Sequence, residues 1–530
     1  GYDIKIRGVG TVNGDSSPLY IVDGFEVANI DFLANQDIQS IEVLKDASAS
    51  AIYGARAANG VVLVTTKSGR EGKPQVTYNG SASYRQLSKR VDMLNPYEFI
   101  AMQVEFAPSK YGSTYYKPGT DSNTGLPYEF QTLEDYLRPD AGGVDWQNEA
   151  FRPTWSQNHD VSVRGGTKDT QYTVSFSHFD ENGIFRNSGY RKDNARLKLM
   201  QKITKWLRLD ASLNYTNAAR TGQGTSGGSL ANLLRYRPKG GLGVSDYDLL
   251  HSVYDPVEEG VELSSGNTSI NPLIQAGAVD NTRAQEQWIA NASLTFNIIK
   301  GLTFKTSGTY NANYQRNDVF YGEDSSQARA SGPYGYSQMG RVLRWSNSNV
   351  LDYNRTFAKK HRTTFTLGHE VSFNGTEYLL GESMDFPFGD FGVDNLGLGA
   401  NPSRVETSRT ENMRLSFFAR AFYSYSDRYM LTATVRADAS TVFSKSHKWG
   451  FFPSFAGAWT ISNERFLEDA DWLSMLKLRV GWGTVGNDRI SSYLSQDLYS
   501  ASRYGVGADQ LVVLTPKQIA NQDLKWEGST

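Results

Sequence analysis

What most constrains this chain is a strict apolar–polar alternation over long stretches, joined by links of two very different lengths. Leu209, Ala211, Leu213 and Tyr215 alternate with Asp210, Ser212 and Asn214, and Trp288, Ala290, Ala292, Leu294 and Phe296 with Asn291, Ser293 and Thr295. Leu415, Phe417, Ala419, Ala421 and Tyr423 alternate in the same way with Arg414, Ser416, Arg420 and Ser424. A period of two is that of a β-strand with unlike faces. It does not say whether the apolar face turns inward, as in a soluble sandwich, or outward to lipid. The links separate the two. Residues 203–207, 298–301, 357–361 and 426–428 are tight, whereas 218–285, 315–340, 374–410 and 439–447 are long, and the two kinds alternate. Only 462–473 is a longish member of the tight set. Tight turns at one end and long loops at the other mark a membrane barrel. From Gln75 to about Trp482 the pattern gives about thirteen strands, where a plugged barrel has about 22.

Composition narrows the rest. There is no cysteine among the 530 residues, so disulfides and thiolate metal sites are excluded. A net charge of -2 argues against a nucleic-acid partner, which calls for a basic excess. No apolar run approaches the ~20 residues of a transmembrane helix, but a barrel hides its spans as alternation.

The first seventy residues read differently. Ser40–Leu44 is a strand, Asp46 caps a helix of small residues over 47–51, and Gly54 ends it. Asn59-Gly60 is a tight turn into a second strand, Val61–Thr66. The glycines between Gly8 and Gly14 have the wrong spacing for a dinucleotide fingerprint and read as a turn. Together with Ile6-Arg7-Gly8 and Pro18-Leu-Tyr-Ile-Val-Asp23-Gly24, the stretch 37–69 closely resembles the plug domain of TonB-dependent outer-membrane transporters, and more narrowly the SusC/RagA family. Arg7, Gly8, Asp23, Gly24, Glu42, Lys45, Asp46, Tyr53, Gly54, Arg56, Asn59 and Gly60 carry the motif.

The resemblance implies an internal piece of such a transporter: residues 1–72 as the C-terminal part of the plug, 73–530 as the N-terminal part of the barrel. The expected fold is membrane all-β, a partial antiparallel transmembrane β-barrel preceded by a small α+β plug remnant. The resemblance also implies residence in the bacterial outer membrane, energy from a TonB–ExbB–ExbD complex, a SusD-like surface lipoprotein as lid, and glycan cargo. Peptide cargo is the alternative within the family. A passive porin or adhesin, or a soluble lectin, are readings of other classes.

Catalytic chemistry finds no support: the six histidines are scattered, without a zinc-ligand spacing, and no nucleophile elbow or phosphate loop occurs. No cofactor is implied. Asp385, Asp390 and Asp394 offer oxygen ligands, but not at an EF-hand spacing, and read as a solvated loop. Tyr115, Tyr116, Tyr334, Tyr336 and Tyr504 fall in the expected outer loops and are candidate ligand contacts, since a tyrosine offers a sugar ring a flat face and a hydroxyl. Glu370, Arg414, Arg420 and Arg436 fall on the expected lumen face, where Arg7 or Arg56 could pair with Glu370. Leu213, Leu294 and Phe417 are expected to face lipid; Ser212, Ser293 and Ser416 the lumen.

Overall fold

The structure, a computed structural model, describes residues 17–44, 59–222, 229–257, 270–328, 332–467, 472–506 and 509–529. Two sheets organise it. The small one has four strands, β1 (Leu19–Val22), β2 (Phe25–Val27), β3 (Ile38–Leu44) and β4 (Val61–Thr66), in the order β2-β1-β4-β3. β1 runs parallel to β4, while the β1–β2 hairpin turns on Asp23 (φ 52°) and Gly24 (φ 89°). Two consecutive positive φ values are what a two-residue hairpin turn of the primed type requires, and Asp-Gly supplies them at low strain. The sheet's core is Val22, Val27, Phe32, Leu33, Val62 and Val64. The helix expected after Asp46, with Arg7, Gly8, Lys45, Tyr53, Gly54 and Arg56, lies outside the described residues.

The large sheet has thirteen strands in unbroken sequence order, every neighbour antiparallel. They are β5 (Gly72–Arg85), β6 (Thr154–Gly166), β7 (Thr170–Asn182), β8 (Gly189–Lys202), β9 (Leu207–Thr221), β10 (Val279–Ile299) and β11 (Leu302–Tyr321). There follow β12 (Tyr334–Phe357), β13 (His361–Met384), β14 (Asn401–Tyr425), β15 (Tyr429–Ser440), β16 (Trp449–Thr460) and β17 (Lys477–Gly483). Further on come β18 (Val485–Asn487), β19 (Leu498–Val506), β20 (Asp509–Gln518) and β21 (Glu527–Ser529), which form two separate two-stranded ladders.

One end of the large sheet carries the tight links 167–169, 203–206, 300–301, 358–360 and 426–428, with 461–476 the long exception. The other end carries 86–153 and 222–278, both with helices, but also the tight link 183–188, so the alternation is less strict than expected. The strands at that end also run further. Most of 315–340 and 374–410 is strand: β11 reaches Tyr321, β12 begins at Tyr334, β13 reaches Met384 and β14 begins at Asn401. Tyr334 and Tyr336 therefore lie on a strand. β13 has 24 residues and β14 has 25, whereas a bilayer needs only ~9–11. The excess stands above the lipid, where neither face meets hydrocarbon and the alternation that signals a strand disappears.

Burial decides the orientation that alternation left open. Along the strands the polar face is covered and the apolar face is bare: Ser293 and Ser416 are buried, Leu213 and Phe417 exposed, and Leu294 and Ser212 intermediate. Asn214, Thr216, Asn291, Asn311 and Thr434 are buried as well, while Trp288, Tyr310, Leu367 and Leu431 are exposed. A sandwich in water would do the opposite. Aromatic rings bound the apolar band, with Tyr215 against Trp288 at 4.4 Å toward the long loops and Phe296 against Phe304 at 6.0 Å toward the tight turns. From Trp288 to Phe296 is nine residues, within the ~9–11 that a tilted strand needs to cross a bilayer. Cysteine at Leu213 or Phe417 of the full-length protein, in intact membranes, is expected to react at least about tenfold more slowly with a water-soluble maleimide than cysteine at an exposed outer-loop position such as Asn123. Equal rates would mean that this face meets water.

Candidate functional site

The small sheet lies against the polar, inward face of the large one, and side chains of both build their contact. It starts at the Asp23-Gly24 turn. The Asp23 carboxylate accepts from the Thr66 amide at 2.9 Å, which ties the hairpin to the end of β4. It also receives Arg196 Nη2 at 3.2 Å and Lys198 Nζ at 3.0 Å, both from β8 in the wall. Arg196 also donates to the Thr66 hydroxyl and has Asp37 at 3.9 Å. Asp37 in turn accepts from Ser175 of β7 at 2.9 Å. The Arg196 side chain is 1% exposed, so the charge is neutralised inside the contact and not by water.

Further along β8, Asn194 donates to the Phe32 carbonyl at 2.6 Å, and Lys192 donates to the carbonyl of Asp31. Lys192, Asn194, Arg196 and Lys198 are alternate residues of one strand and so share its inner face. That comb of donors is legible in the sequence as a run of alternate polar residues, but the sequence does not say that the small sheet is what it meets. An apolar seat complements it: Ile289, on the inner face of β10 and 1% exposed, is part of the small sheet's own hydrophobic core. A second anchor lies across the wall, where Arg414 reaches Glu26 of β2 at 3.5 Å and Asp488 at 3.9 Å.

The other expected lumen charges take different partners. Glu370 is held by Arg436 Nη2 at 2.7 Å, and Arg436 Nε also meets Asp438 at 2.8 Å, so the carboxylate considered for Arg7 or Arg56 is engaged within the wall. The Arg436 guanidinium also sits 5.2 Å from the Phe418 ring, which packs on the inner face over Gly368. A Cβ at position 368 would lie 2.0 Å from that ring. Arg420 is half-buried, opposite Thr366 and Thr434. Of the motif residues in the small sheet, Glu42 is exposed on β3, while Asn59 is buried beside Gly60 (φ 89°), whose carbonyl accepts from Leu19 at 3.0 Å.

The expected ligand tyrosines divide. Tyr115 is fully buried in a core with Ile100, Tyr111, Phe130 and Tyr136, so it holds its loop together and presents no face to a ligand. Its hydroxyl accepts from Arg237 at 2.5 Å, and Arg237 pairs with Asp255. Trp146 donates to the Arg237 carbonyl at 2.8 Å and packs on Tyr236 at 4.8 Å, so the described parts of 86–153 and 222–278 fold on each other as one cap. Tyr116 packs half-buried against the same core. Tyr334 stacks on Tyr321 at 5.3 Å, lies 6.1 Å from Tyr336, and donates to Glu382 at 3.2 Å. Tyr504 falls on β19, opposite Leu511 of β20. Asp385, Asp390 and Asp394 do not converge with other ligands on a metal-sized site among the described residues; Asp394 faces Arg316 at 3.9 Å.

A polar-lumened, lipid-faced antiparallel sheet with a separate small domain fixed to its inner wall defines a plugged membrane β-barrel. Residues 1–61 match the TonB-dependent receptor plug domain, and residues 222–530 match the TonB-dependent receptor-like β-barrel. The chain belongs to the TonB-dependent receptors of the bacterial outer membrane, and within them it is SusC/RagA-like. It is 30% identical to the TonB-dependent receptor SusC of Bacteroides thetaiotaomicron, over 100% of this chain and 52% of that protein. It is 29% identical to TonB-dependent receptor P3 of Formosa agariphila, over 99% of this chain and 49% of the relative. The chain thus spans about half the length of the curated relatives it matches. A solved structure of the RagAB peptide transporter aligns with a TM-score of 0.79 at 25% identity, covering 99% of this chain and 60% of that one.

Proposed function

We propose that the chain is the plug-and-barrel portion, 1–72 and 73–530, of an importer that takes an oligosaccharide across the outer membrane using energy delivered through TonB–ExbB–ExbD. The observation that supports this most is the seating of the small sheet through Asp23, Arg196 and Lys198 on the inner wall. A barrel of this class is wide enough to leak when empty, so a folded obstruction in its lumen makes passage conditional. The outer membrane holds no ATP. Binding at the outer face then has to be coupled to an external pull on the plug, and the buried ions of this contact regain their hydration as it parts, which offsets much of the attraction lost. A SusD-like lipoprotein closing over the outer loops completes the reading.

The sugar assignment draws on the family resemblance and on Tyr321, Tyr334 and Tyr336, clustered where the strands rise above the lipid. The likeness to a peptide transporter favours peptide cargo as the second reading. The test is uptake of a labelled oligosaccharide panel by cells expressing the full-length protein, with and without TonB. Uptake is expected to fall to the background of cells lacking the protein when TonB is deleted. Undiminished, unsaturable uptake without TonB would make the protein a passive pore, and TonB-dependent uptake of peptides alone would assign it to the second reading.

A further inference from the structure

On the outer side of the plug's seat the inner wall changes character. Arg220 of β9 and Arg283 of β10 stand directly opposite each other, with Tyr190 of β8 next to Arg220 and Asn317 of β11 next to Arg283. Like charges opposed across two strands destabilise the pairing. Neither guanidinium has a carboxylate partner among the described residues; Arg283 donates only to Asn317, at 3.1 Å. Arg283 shares a strand face with Gln287, Ile289 and Asn291, all buried on the inner side. It lies six positions from Ile289, about 20 Å toward the long loops. Arg220 is the next-to-last residue of β9, at the outer end of that strand.

The two arginines border a concavity of about 490 Å³ together with Gln285, Gln315, Asn317 and Gln338. Arg316, also on its margin, is neutralised by Asp318 at 2.6 Å. Its apolar lining is Ala218, Ala219 and Ala284 with the ring of Tyr190, a flat face of the kind that packs on a sugar ring. Side-chain amides present donors and acceptors together, the combination that sugar hydroxyls need.

Resting on the import reading above, we propose that Arg220 and Arg283 form an anion-reading step on the route inward, and that the cargo is an acidic oligosaccharide bearing uronate carboxylates or sulfate esters. Both groups are planar or tetrahedral oxyanions that a guanidinium meets with paired hydrogen bonds, and the repulsion between the two arginines is relieved when one sits between them.

The test is calorimetric titration of the full-length protein, purified in detergent, with tetragalacturonate, a sulfated galactan tetrasaccharide, maltotetraose and tetraglutamate. The wild type is expected to bind one of the acidic sugars at least about tenfold tighter than maltotetraose, with the margin shrinking at high salt. The winning sugar tells carboxylate from sulfate. The Arg220→Gln/Arg283→Gln variant should lose that margin, and Arg220→Lys/Arg283→Lys should keep a good part of it. Equal affinity for acidic and neutral sugars, an unaffected glutamine variant, preference for tetraglutamate, or no binding of either acidic sugar would overturn the proposal. A charge-blind protein whose uptake still needs TonB loses only this inference; passage without TonB removes the import reading beneath it.

Discussion

Replacing Asp23 by alanine is expected to loosen the small sheet from its wall by about 3–5 kcal/mol, the range for removing one partner of a buried ion pair. The magnitude follows from what is left behind. Arg196 stays charged at any accessible pH, its side chain is 1% exposed, and its remaining carboxylate, Asp37, is 3.9 Å away. The turn also loses the bond from the Thr66 amide to the Asp23 carboxylate. Hydrogen exchange of the full-length protein should show the amides of β1 and β4 opening faster by two orders of magnitude or more, while those of β10 to β13 keep their rates. The double variant Asp23→Ala/Arg196→Met should recover much of the loss, because an apolar side chain carries no charge to strand. In cells, the single variant should admit bulky antibiotics that the wild type excludes. If β1 and β4 exchange as slowly in Asp23→Ala as in the wild type, the ion pairs do not hold the plug.

That contact shows where the sequence could and could not be read. Strands such as β9, β10 and β14 were legible because lipid on one side and a wet lumen on the other impose opposite chemistry on successive residues. The same physics hid the strand ends: from Thr376 to Met384 both faces stand above the bilayer, and the residues read as loop. Phe418 breaks the alternation because the inner wall needs one ring over Gly368, a demand that only the folded neighbour makes. The Asp23 motif was legible as a turn, but its partner Arg196 lies 173 positions away and is chosen by how the small sheet docks. Tyr115 departs from the expected ligand role for a related reason. Tyrosine in a long segment suits an exposed binding loop and a small aromatic core equally well, and the choice depends on the second loop, which brings Arg237 to its hydroxyl.

The second large effect is expected in that cap. Arg237→Met should destabilise the joined loops by about 3–5 kcal/mol, because Asp255 is left buried with no cation among the described residues. The same substitution removes the donor to the Tyr115 hydroxyl. Limited proteolysis of the full-length protein should then cut within 86–153 and 222–278 at protease levels the wild type resists, while heat-modifiable migration of the barrel is retained. Alkali should do the same to the wild type. Burial, reinforced by the Asp255 carboxylate and opposed by Arg237, pushes the Tyr115 phenol up to about 12 from 10. A proton held more tightly when folded contributes stability that is complete below pH 10 and is lost as the pH rises through 12. The shift corresponds to ~2.7 kcal/mol at its limit. Tyr115→Phe forfeits the bond from Arg237 but has no proton to lose, so its cap should be less stable at pH 8 and should lack that part of the decline between pH 10 and 12. Proteolysis rates of the two proteins across that interval settle the matter: parallel curves would mean that Tyr115 does not titrate with the unfolding of the cap.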